Sequence, residues 1–262
     1  MPRIVAKPDT LDQENKKFNH QPLQQPVFLN SVPKSGTHLL RNIFRMFVSN
    51  EQQYHGAFLQ LPNLAQHLSA LDTAQPKLSW GHLLFSDNAA IATKNARKLI
   101  IVRDPYDWVL ARARFFLSDN FQGNVEHLKS GDVSVEQVLN MMIFGIYQKV
   151  PSLWEIYTHT AVSWLASDVK LVRYEDVMHH LKRLDDSAAE TYFGELLAPV
   201  TGGKLPDDWR ERITIGADKK QSATYRENLD GGAFDIPTVL PDQQRAMVDY
   251  AVPTLRKLLG YE

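Results

Sequence analysis

Hydrophobic positions along the chain fall into two patterns. The first is a set of short apolar runs, "VFLNSV" (27–32), "KLIIV" (98–102) and "VKLVRY" (169–174). They are rich in Val, Ile and Leu and do not alternate cleanly, as expected for parallel strands covered on both faces. A weaker fourth run is "KLSWGH" (77–82). The second pattern has a helical period. "THLLRNIFRMFVS" places Leu39, Leu40, Ile43, Phe44 and Phe47 on one stripe. "DPYDWVLARARFF" opens with Asp104 as N-cap, Pro105 at the first helical position and Asp107 in the first turn. Residues 134–165 read as two helices broken near Pro151, and 241–261 as a helix interrupted at Pro253. Thr37 and Asp176 are candidate caps, the latter for a helix starting at Val177.

Strand, loop and helix in series predict an α/β fold. Its form is a three-layer arrangement with a central, mostly parallel sheet flanked by helices. Ligands in such sheets sit at the carboxyl ends of the strands. Residues 1–26 are polar and are expected to form a loose N-terminal arm ahead of a single domain, 27–262. The polar, Gly-rich stretch 201–240 is expected to be a long loop of the kind used as a lid.

Composition narrows the function classes. With a net charge of −1, no global basic field argues for nucleic acid. With no cysteine, disulfides, thiolate metal sites and cysteine nucleophiles are excluded. No apolar stretch of about 18 residues is present, so no membrane span is expected. The first 26 residues lack the apolar core of a secretion signal. A soluble, cytoplasmic protein is the expectation.

The chemistry concentrates in "VPKSGTHLL", between the first strand and its helix. Free amides at a helix N-terminus favour an anion. Gly36 permits close backbone approach, Ser35 and Thr37 add hydroxyls, and Lys34 adds a charge. The plain alternative is a turn that only caps a helix. The nucleoside-triphosphate spacing G-x-x-x-x-G-K-[ST] is absent.

"PKSGTHLL" resembles the 5′-phosphosulfate-binding loop of sulfotransferases that use 3′-phosphoadenylyl sulfate (PAPS), commonly P-K-S-G-T-T-W. The resemblance implies a P-loop-like phosphate-binding loop. His38 and Leu39 replace the last Thr and Trp, so the adenine-stacking residue is unassigned. The resemblance implies that Lys34, Ser35, Gly36, Thr37 and His38 hold the cofactor's 5′ end and that Lys34 polarises the bridging oxygen. "IIVRDPYDWVLARARFF" resembles the second signature, which implies that Arg103 binds the 3′-phosphate; the guanidinium fork suits that task. Pairing of Arg103 with Asp104 or Asp107 is the structural alternative. Ala111 stands where the family usually has a phosphate-contacting serine, with Arg112 and Arg114 as nearby cations. "VKLVRYEDV" implies that Tyr174 approaches the adenine, with Glu175 and Asp176 structural. "SATYRENLDGG" resembles R-K-G-x-x-G: Arg226 and Gly231 match, while Glu227 and Asn228 replace Lys and Gly. A family dimer motif is matched only at Thr238 and Val239, with Phe234 and Gln243 at its usually charged ends, so monomer and homodimer both stay open.

Sulfuryl transfer needs a base. Of the nine histidines, His82 ends a strand-like run, and "WGHLLF" resembles the family segment whose histidine is that base. The alternative is a core histidine with satisfied hydrogen bonds, and His38 is its rival. In-line transfer then uses His82 to deprotonate an acceptor hydroxyl or amine and Lys34 to stabilise the leaving oxygen. PAPS is the expected donor and 3′-phosphoadenosine 5′-phosphate (PAP) the product. No metal is expected: adjacent His179 and His180 point apart on a helix and no third ligand is evident. Trp108, Phe115, Phe116, Phe121, Phe144, Tyr147 and Phe234 either line an acceptor pocket or belong to the core. An aromatic pocket would favour a small lipophilic alcohol or phenol. Competing readings are a P-loop kinase, which lacks its motif here, and a non-catalytic nucleotide-binding homologue.

Overall fold

All four apolar runs become strands, and all four strands run parallel. The computed structural model describes residues 3–4, 8–118, 121–123, 125–222 and 235–261. The described strands are β1 (Arg3–Ile4), β2 (Val27–Ser31), β3 (Leu78–Gly81), β4 (Arg97–Val102), β5 (Phe121–Gln122) and β6 (Val169–Arg173). The main sheet has the order β3-β2-β4-β6. Asn30 lies opposite Gly81 and Ile100, and Val102 opposite Arg173. β1 and β5 form a separate antiparallel pair.

Helix α1 (Leu11–Asn15) precedes the sheet, α2 (Thr37–Arg45) follows β2, α3 (Asp87–Ala92) precedes β4 and α4 (Pro105–Leu117) follows it. α5 (Val135–Phe144) and α6 (Leu153–Thr160) lead to β6, after which come α7 (Tyr174–Leu181), α8 (Ser187–Thr201), α9 (Trp209–Ala217), α10 (Asp242–Ala251) and α11 (Leu255–Leu258). Alternate residues of β2 and β4 enter opposite cores. Val27, Leu29, Leu99 and Ile101 meet Leu40, Ile43 and Phe44 of α2, with α8 and α9 behind. Phe28, Ile100 and Val102 face α4, α5 and α6. This is why the runs read as continuous: both faces are covered. Each such side chain contributes roughly 1.5–3 kcal/mol through burial.

The chain leaves β2 for β3 on one side and reaches β4 on the other. The crevice of the sheet therefore opens outside the ends of β2 and β4, where doubly wound sheets bind ligands.

Several local expectations shift. The arm is not loose throughout: Leu11 and Leu23 are buried in the α2 core. Within 201–240, residues 209–217 are helical, because Trp209, Ile213 and Gly216 fall on one face, and Gly216 packs where a Cβ would meet Asn42 O at 2.7 Å. Gly36, not Thr37, is the N-cap of α2. Asp176 does not cap at Val177; the helix already begins at Tyr174, and Asp176 forms a two-bond ion pair with Arg173, 2.7 and 3.1 Å. The break between α5 and α6 begins at Gly145, ahead of Pro151. Its φ of +81° and the 2.6 Å approach of Val150 O leave no room for a side chain. Asp104 and Pro105 open α4 as expected, with the Asp104 carboxylate accepting from Tyr106 N at 3.0 Å.

Candidate active site

Four successive strand ends deliver four motifs to one rim of the sheet. β2 ends in the Pro33–Gly36 turn, β3 in His82, β4 in Arg103 and β6 in Tyr174.

The turn is held in a shape that only some residues adopt. Lys34 has φ +70° and Gly36 φ +97°, two left-handed residues separated by Ser35. Such a backbone directs successive amides into a concavity that suits an anion. A Cβ on Gly36 would lie 2.6 Å from the Tyr174 ring, so glycine is required for space as well as for φ. From below, the Trp108 indole N–H donates to Pro33 O at 2.6 Å. Ser35 N closes the turn on Val32 O at 3.1 Å.

Four side chains at this rim are poised rather than paired. Lys34 Nζ sits 3.6 Å over the Phe115 ring, with no hydrogen bond or ion pair to a described residue. Burial, and then the Arg103 charge, lowers its pKa to about 8. The Arg103 guanidinium lies 4.6 Å over Tyr174, and its Nε is buried without a partner. The alternative pairing does not form: Asp104 pairs with Arg256 at 2.9 Å, and Asp107 is exposed. His38 Nδ1 is likewise buried and unpartnered, and burial followed by the charge of Arg41 lowers the pKa of this ring to about 3. Ser35 Oγ is buried without a well-formed hydrogen bond, although it lies beside the Tyr157 hydroxyl. Buried polar groups are normally satisfied. A cluster of three such atoms around a cationic, amide-lined turn fits an anionic ligand with several acceptor oxygens, as the two phosphates of PAPS would provide.

His82 stands across β2 from the turn. Its Nδ1 lies 2.9 Å from both the carbonyl oxygen and the hydroxyl of Ser31. A carbonyl only accepts, so Nδ1 carries the hydrogen and Nε2 holds a free lone pair. Burial is the main cause that lowers the His82 pKa to about 4, so the ring is neutral at pH 7. Phe58 contacts the ring edge-on at 4.7 Å. Asn30, buried in β2, holds the next residue by a two-way clamp, accepting from Leu83 N at 2.8 Å and donating to Leu83 O at 3.0 Å.

Other predicted site residues take varied places. Tyr174 packs against Gly36 and under Arg103, and so ties two motifs together. Glu175 is structural, accepting from Asp104 N at 3.0 Å and from the Tyr261 hydroxyl at 2.8 Å. Leu39 is a half-buried residue of the α2 core. Trp108 is no pocket wall: it is fully buried, because its ring packs on Tyr157 and its N–H serves Pro33. Phe115, Phe116 and Phe121 form an aromatic trio, with centroids 4.5–6.2 Å apart, whose Phe115 faces Lys34. Phe144 and Tyr147 are exposed, the latter by 88%. Arg112 does not supply the missing serine contact, since it is buried and donates to Met142 O and Pro151 O. Arg114 donates to Pro237 O. Arg226, Glu227, Asn228, Gly231 and Phe234 lie outside the described residues. Among the described residues no group of three His, Asp or Glu is placed to hold a metal, and no helix is long and apolar enough to cross a membrane.

Sequence reading did not single out Ser31, Asn30, Phe58 or Tyr157, whose hydroxyl donates to Arg103 O at 2.8 Å. One signal was present: two polar residues, Asn30 and Ser31, inside an otherwise apolar buried strand.

No family model matches the chain, and no curated protein matches it. Among solved structures, mouse sulfotransferase SULT7A1 complexed with PAP aligns over 96% of this chain and 92% of its own, at 16% identity and a TM-score of 0.54. Retinol dehydratase in complex with androsterone and inactive cofactor PAP aligns over 92% of this chain and 82% of its own, at 14% identity and a TM-score of 0.46.

Proposed function

We propose, from the premise that this chain has the fold of the PAPS-dependent sulfotransferases, that it is a catalytic member of that class. It would transfer a sulfuryl group to a hydroxyl or amine of a small acceptor by in-line displacement. One observation carries the reading. Lys34, Arg103 and His82 converge from three parallel strand ends, with buried polar atoms left unpaired on His38 and Arg103.

PAPS, when bound, supplies the sulfuryl group and a phosphate as leaving group. Lys34 holds a positive charge at the turn, where negative charge develops on departure, in a site whose low dielectric strengthens it. The amides of the left-handed turn and the hydroxyls of Ser35 and Thr37 orient the 5′ end. Arg103, whose guanidinium lies 4.6 Å over the Tyr174 ring, would neutralise the 3′-phosphate. His82 Nε2 takes the acceptor's proton, its tautomer set by Ser31. Phe58 and the Phe115 trio provide apolar walls beside these groups, which supports a lipophilic alcohol or phenol as acceptor.

Calorimetry with PAP and turnover of labelled PAPS with phenolic, alcoholic and amine acceptors test this. PAP binding and transfer, abolished in K34A and H82A, are expected. Absence of PAP binding overturns the donor assignment. Binding without transfer to any acceptor supports the non-catalytic homologue instead, and turnover that survives both substitutions overturns the roles.

A further inference from the structure

The base and the phosphate turn are joined by a chain of hydroxyls. Thr37 Oγ1, the first residue of α2, donates to Ser31 Oγ at 2.8 Å. Ser31 Oγ donates to Gly81 O at 3.2 Å. His82 Nδ1–H is shared between the Ser31 carbonyl and the Ser31 hydroxyl oxygen, both at 2.9 Å. Ser31 is 1% exposed and ends β2, so it lies behind the site rather than within it. The register that sets Asn30 opposite Gly81 brings these two strand ends together.

We propose that Ser31 is a positioning residue that couples occupancy of the Lys34–Thr37 turn to the orientation and basicity of His82. The coupling rests on the donor-binding reading above. In the free protein the single Thr37 hydroxyl hydrogen goes to Ser31 Oγ. An anion in the turn competes for that hydrogen, because charge-assisted hydrogen bonds are about twice as strong as neutral ones. When Thr37 turns to the anion, Ser31 Oγ, which already accepts from His82 Nδ1–H at 2.9 Å, loses its competing donor and becomes the stronger acceptor for that hydrogen. A stronger acceptor at Nδ1 stabilises the imidazolium and raises the basicity of Nε2. The base is therefore armed when the donor is in place. Among the described residues, the charged group that acts on His82 is Lys34 from the turn, which opposes its protonation, while His38 from α2 is itself held down by the charge His82 would carry.

The test is an NMR titration of the His82 imidazole in ¹⁵N-labelled protein, with and without PAP, its signals assigned by their loss in H82Q. Wild type, S31A, S31T and T37V are compared. The free wild type should show the Nδ1–H tautomer, and PAP should raise the His82 pKa. S31A and T37V should cut that rise by about half or more, and S31T should restore it. In turnover, S31A should lower kcat about tenfold with the acceptor KM little changed, the scale of one lost hydrogen bond. T37V keeps the test open if S31A does not fold. An equal PAP-induced rise in all four proteins overturns the coupling alone, as does an Nε2–H tautomer in the free wild type. Failure of wild type to bind PAP overturns the donor-site reading and the coupling with it, and calorimetry identifies that case separately.

Discussion

Helix α2 carries a buried polar cluster at each end, and the two are finished differently. At its C-terminal end, Arg45 donates to Gln53 at 2.9 Å, to Asp9 at 2.9 Å and to Asp12 at 2.7 Å. The carbonyls of Arg45 and Val48, which the helix leaves free, accept from Asn15 and Gln53. At its N-terminal end, Lys34 and Arg103 lack carboxylate partners among the described residues, and His38 Nδ1 and Arg103 Nε are buried and unpaired. The same physics costs free energy at one end and stabilises at the other. A closed polar network anchors the N-terminal segment on the core. An open one, with Arg103 close enough to lower the Lys34 pKa, would hold affinity in reserve for the anion proposed above.

The sharpest way to break this contrast is to remove one cation from each end. R45M should destabilise the fold by about 3–5 kcal/mol in urea unfolding, because Asp9 loses its buried partner. K34M should leave stability unchanged or raise it, since the ammonium is desolvated beside another cation, while turnover falls roughly 10²–10³-fold. If K34M unfolds the protein as readily as R45M, the division fails.

Next in size is G36A. The left-handed φ and the Tyr174 contact make it costly by about 1–3 kcal/mol in the same unfolding measurement. PAP affinity in calorimetry should fall with it, as the turn opens. An unaffected PAP affinity would show that the turn shape is not what holds the anion.

The pH dependence of binding separates charge from shape. Lys34 carries its proton in the free protein only below about pH 8, and a bound phosphate favours the protonated form. PAP affinity should therefore be full below that value. Above it, affinity falls by up to about tenfold per pH unit, until the pKa of the complex is passed. K34M should flatten this slope.

The smallest effect is on acid stability. His38 and His82 titrate in the fold at about 3 and about 4, below the ordinary 6.5. Between 6.5 and those values the unfolded chain binds more protons, so stability is lost as pH falls below 6.5. Each ring should contribute about 1 kcal/mol of loss over the first unit. H82Q should reduce the slope of unfolding free energy against pH below 6.5.

Much of the site was legible because each motif is local and repeats one grammar. An apolar run predicts a buried strand, the polar residues after it mark the strand's carboxyl end, and parallel strands put those ends on one rim. Lys34, His82 and Arg103 could be placed together before any contact was known. Residues whose roles depend on neighbours distant in the chain were not legible. Arg103 precedes an Asp that offered itself as its partner, but Arg256 takes that carboxylate. Trp108 reads as a pocket aromatic until its N–H is seen to hold Pro33.

The sequence by itself determined the parallel α/β layering and put Lys34, His82 and Arg103 at the carboxyl ends of neighbouring strands, because apolar periodicity and backbone chemistry act over a few residues. Only the tertiary structure decided that Ser31 fixes the tautomer of His82, that Tyr174 leaves no room for a side chain at Gly36, and that one end of α2 is closed while the other is open. Those outcomes depend on strand register and on which faces pack together. Both are set by summed burial across the whole core, and no single stretch of sequence carries that information.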